Sequence, residues 1–148
     1  MVKVMKNKFR AWDNKLKMMA QVLAIDWAES GEIISLHLKY KNGTIKKVYP
    51  EKDYGDDIEL MQYIGIKDKN KKEICEGDIL ESWYSRYPEY NKDFEGDLLT
   101  IKYDYGEYVL HYLLDWCGIS NNIEDLQNIT NYEIIGNIYE NAELLKSK

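Results

Sequence analysis

Apolar and polar side chains alternate in several short stretches of this chain. Ile34, Leu36, Leu38 and Tyr40 interleave with Ser35, His37 and Lys39, the pattern of a strand with one buried face. Asn42-Gly43 follows, a strong hairpin signal, and Thr44 to Tyr49 returns until Pro50 ends the strand. Leu99, Ile101, Tyr103 and Tyr105 interleave with Thr100, Lys102 and Asp104 in the same way; Gly106 turns the chain and Tyr108 to Leu114 pairs back. Shorter strands are predicted at Phe9 to Trp12, at Met18 to Leu23 after an Asp13-Asn14 turn, and at Met61 to Ile66, Ile79 to Tyr84 and Tyr132 to Tyr139. Polar stretches separate them: an acidic loop from Glu51 to Glu59, a turn from Lys67 to Lys72, a break at Gly77-Asp78, and a long loop from Ser85 to Asp97. Helical spacing is confined to Asn122 to Ile129, with Ile123 and Leu126 three apart, and to a short terminal helix from Ala142.

Many short strands joined by tight turns predict a mainly β fold with minor α, a small barrel or strongly bent sheet rather than a parallel α/β architecture. The 148 residues carry no internal repeat, low-complexity segment or linker, so a single domain spanning residues 1–148 is expected. The Gly77-Asp78-Ile79 step is similar to the turn that opens a strand in SH3-like barrels.

Three separated blocks carry a resemblance over nearly the whole chain. They are Lys8-Phe9-Arg10-Ala11-Trp12-Asp13, the unit MQYIGIKDKNKKEICEGDIL from Met61 to Leu80, and IIGNIYENAELL from Ile134 to Leu145. In this order they resemble the YopX family, proteins of uncharacterised function encoded by phages and prophages, mostly of Gram-positive bacteria. The resemblance implies a mixed fold around an SH3-like β-barrel and names no activity. Two positions depart from the family pattern. Lys71 stands where Gly is usual, so a left-handed turn residue would lose its cheapest occupant unless Asn70 takes that conformation. Ala142 replaces a common Pro after Asn141, which suits the first position of a helix capped by Asn141.

Charge is uneven. Residues 1–50 hold ten Lys or Arg against four Asp or Glu, a net +6, whereas residues 51–148 hold ten against 22, a net −12. Internal attraction, association of unlike surfaces between copies, and contact with a charged partner would each use this asymmetry. Two cysteines, Cys75 and Cys117, have neither metal-site spacing nor disulfide-scaffold density and read as reduced, buried thiols. No apolar run approaches the roughly 20 residues of a membrane span, and MVKVMKNKFRAWD lacks the apolar core of a signal peptide. A cytoplasmic protein of a bacterial host is expected.

No nucleophile elbow, phosphate-binding glycine loop or dinucleotide fingerprint occurs, and no cofactor is implied. His37 and His111 read as strand histidines, and with Cys75 and Cys117 they lack the close ligand spacing of a structural zinc site. Glu76 and Asp78 flank Gly77, but Asp78 is more simply a turn residue that accepts from nearby amides. Thirteen Tyr and four Trp against two Phe suit half-exposed strands and partner surfaces. A protein interface is therefore expected at Trp83, Tyr84, Tyr87, Tyr90 and Phe94 in the long loop. The alternative is a nucleic-acid platform from Lys6, Lys8, Arg10, Trp12 and Lys15, cations for phosphates with a ring for base stacking. The expected function is non-enzymatic contact with a host or phage protein, with self-association.

Overall fold

The computed structural model describes residues 8–50, 57–82, 97–104, 107–112, 121–122 and 132–145. The chain falls into two compact units, residues 1–63 and 64–148. Both are built from antiparallel strands, so the mainly β expectation holds.

In the first unit, β1 (Phe9–Asp13), β2 (Met18–Trp27), β3 (Ile33–Tyr40), β4 (Ile45–Val48) and the start of β5 (Ile58–Lys67) take the order β4-β3-β2-β1-β5. Register places Ala11 beside Ala20 and Leu60, and Leu38 beside Val22. These side chains share a core with Leu36, Tyr40 and Val48. Small Ala11 and Ala20 leave room for the larger β3 residues that fill the same layer.

The second unit begins within β5, which turns into β6 (Glu73–Cys75). Its other strands are β7 (Asp78–Ser82), β8 (Asp97–Asp104), β9 (Glu107–Tyr112), β10 (Asn121–Asn122) and β11 (Tyr132–Asn137), in the order β10-β9-β8-β7-β11. Ile74, Leu80, Leu99, Ile101 and Tyr132 form its core, with Ile64, Ile66 and Ile134 against them.

The finer expectations stand differently. Both strand orders are open, with different strands at the two ends, and the described residues form antiparallel sheets with no closed barrel. Asn122, the expected start of the internal helix, lies in β10 opposite Val109; residues 123–131 are outside the described set. The terminal helix is a single 3-10 turn, Ala142–Leu145. Asn141 does not cap it through its side chain. Its Oδ1 accepts the Asn137 N–H at 3.1 Å, while Asn137 Oδ1 accepts the N–H groups of Tyr139 and Glu140. Among the described residues no helix is long and apolar enough to cross a membrane.

Three hairpins share one loop geometry. Ala28 and Glu32, Tyr40 and Thr44, and Asp68 and Lys72 close three-residue loops by backbone bonds of 2.8–2.9 Å. In each, the third loop residue donates its N–H to the residue that opens the loop and has positive φ: Gly31 at 88°, Gly43 at 87°, Lys71 at 64°. This is a type I turn followed by a left-handed residue. Lys71 itself takes the left-handed position, so the turn is not shifted onto Asn70.

Candidate functional site

Buried aspartates hold the turns. Asp13 Oδ1 accepts the N–H groups of Lys15 and Leu16 at 3.0 and 2.9 Å, and its Oδ2 accepts the Tyr40 hydroxyl at 2.8 Å. Burial pushes the Asp13 carboxyl up, but the bonds from Leu16, Tyr40 and Lys15, with the Lys46 charge, outweigh it and hold the group below its ordinary value. Asp68 works the same way in the second unit. Its Oδ1 accepts from Asn70 and Lys72 at 2.8 and 2.9 Å, and its Oδ2 accepts the Ile134 N–H at 3.1 Å, fastening the turn to β11. Lys69 and Asn70 reinforce that junction through Glu133, each at 3.1 Å. Asp78 Oδ2 accepts the Cys75 N–H at 2.8 Å, so Asp78 is the turn residue its position suggests.

The first unit departs from regular pairing in one place. Between Val22 and Ala24, and again between Asp26 and Trp27, the register of β2 against β3 shifts. A bulge bends a strand and re-aims its side chains; the first shift leaves Leu23 of β2 as the extra residue and the second leaves Ile34 of β3, and this segment displays both polar and apolar groups.

The polar group centres on Asp26. Its Oδ2 accepts the Ser35 hydroxyl and lies 3.1 Å from His37 Nε2 and 3.9 Å from Lys47 Nζ. The Ser35 bond, then that to His37, holds the carboxyl below its ordinary range. Serine, histidine and carboxylate thus meet, but in the wrong order for a nucleophilic triad. Catalysis needs the imidazole to accept the serine proton and the carboxylate to hold the far ring nitrogen. Here one carboxylate oxygen takes both, and the arrangement fastens β2 to β3.

The apolar group is a recess of about 290 Å³, open to solvent and lined by Phe9, Val22, Leu23, Ala24, Ile25 and Trp27. Leu23 is 47% exposed and Trp27 55%. An exposed tryptophan at the edge of the recess is the residue type that most often anchors interfaces.

The expected site residues fare differently. Trp83, Tyr84, Tyr87, Tyr90 and Phe94 all lie outside the described residues, as do Lys6 and Cys117. Trp12 is buried at 6% exposure and so closed to a stacking base. Lys8 is exposed, with its Nζ 5.1 Å from the centre of the Tyr63 ring; Arg10 is half-buried and Lys15 exposed at the β1–β2 turn. His37 belongs to the Asp26 cluster, His111 lies in β9 opposite Thr100, and Cys75 is buried. Among the described residues no three metal-ligating side chains converge. Sequence reading missed Asp26 and Trp27, because the bulge at Leu23 breaks the alternation of β2 after Val22. The signal for the true strand end was Glu29-Ser30-Gly31, the turn that follows Trp27.

Residues 8–146 match the family described as YopX protein. The crystal structure of protein EF1440 from Enterococcus faecalis is similar at 29% identity and a TM-score of 0.63, over 97% of this chain and 100% of that one. No curated protein matches.

Proposed function

The chain belongs to the YopX family, and from that premise we propose that it is a non-enzymatic, phage- or prophage-encoded protein of the bacterial cytoplasm that acts by contact with another protein, self-association included. The observation that carries this reading is the recess along the bulged segment of β2, with Leu23 and Trp27 held in water around it. Exposed apolar surface is unfavourable in isolation, and its usual return is burial against a partner. The Asp26 cluster supports the same reading from the chemical side, since its proton order suits a strand fastening.

The test is capture by tagged protein from a Gram-positive host lysate, with and without nuclease, comparing wild type with Trp27→Ser. A protein recovered by wild type in both conditions and lost with Trp27→Ser supports the contact surface. Equal recovery by both proteins would move the interface elsewhere. No specific recovery, together with a monomer across a wide concentration range, would overturn the reading.

Nucleic-acid contact is the alternative. Lys8 and Lys15 are exposed near the two ends of β1 and Arg10 is half-buried between them, and Lys6 precedes them in the chain. With Trp12 buried, this reading rests on phosphate contacts alone. It predicts capture that disappears with nuclease and falls steeply with salt.

A further inference from the structure

We draw no further inference here: the strongest candidate, the recess between Phe9 and the bulged segment of β2, belongs to the contact surface already described, and nothing in the structure shows what covers it.

Discussion

Lys71 occupies a left-handed position that Gly31 and Gly43 fill in the two sister hairpins. A side chain there crowds the following carbonyl at a cost of about 1–2 kcal/mol, whereas glycine adds unfolded-state entropy worth roughly 0.5–1 kcal/mol. Lys71→Gly is therefore expected to stabilise the protein by about 0.5–1 kcal/mol, read as a higher urea midpoint at unchanged slope; a lower midpoint would mean that Lys71 contributes an offsetting contact. Gly136 is the opposite case. A Cβ built there falls on the Asn141 side chain, 2.6 Å from Cγ and closer still to Oδ1. Because Asn141 Oδ1 accepts the Asn137 N–H, it cannot move without releasing that bond. Gly136→Ala is expected to cost about 1–3 kcal/mol, measured by thermal or urea unfolding. Thr100 offers a gain: its hydroxyl is buried with no hydrogen-bond partner among the described residues. An unsatisfied buried hydroxyl costs about 1–3 kcal/mol, so Thr100→Val, which keeps the shape, should raise the melting temperature. A fall would show that the hydroxyl is satisfied in solution.

At the scale of elements, the hairpins are held by carboxylates as much as by apolar faces. Asp68 joins its own turn to β11 through three N–H groups. Burial raises its pKa, but the bonds from Ile134, Lys72 and Asn70 prevail and leave it below the ordinary 3.8. The unfolded chain therefore binds the proton first as pH falls. Stability from Asp68 is complete above the unfolded value and is lost as pH drops through the lower folded one. Wild type should then lose melting temperature steeply below about pH 4, and Asp68→Asn, already weakened at neutral pH, should show a shallower loss. Parallel curves would remove Asp68 from acid unfolding. Turn chemistry of this kind is legible in sequence: Asp13-Asn14, Asn42-Gly43 and Gly77-Asp78 each mark a turn that forms. Strand length was less legible. Alternation places the end of β2 at Leu23, yet the strand runs to Trp27, because a bulge shifts the period by one residue without ending the pairing. The same effect hid the candidate site, which lies within that segment. Of the expected internal helix only Asn122 lies among the described residues, and it pairs with Val109 of β9.

For the whole molecule the question is which force would drive association. The net charge of −6 opposes binding to a polyanion, and the basic excess of residues 1–50 is a local exception. Lys8 and Lys15 are long side chains at exposed positions, where ion pairs are worth about 0–1 kcal/mol each and are screened by salt. The side chains that line the Trp27 recess are apolar, and burying their apolar surface is worth about 25 cal/mol per Å², with little dependence on ionic strength. These forces separate by salt. Recovery of a protein partner through the recess should persist from low to moderate salt, fall by at least tenfold with Trp27→Ser, and change little with Lys8→Gln and Lys15→Gln combined. Because Trp27 is half in water and outside both cores, Trp27→Ser should leave the melting temperature nearly unchanged, so a loss of recovery would report the surface rather than the fold. The reverse pattern, with the lysine variant abolishing recovery and Trp27→Ser neutral, would transfer the function to the charged face of the first unit.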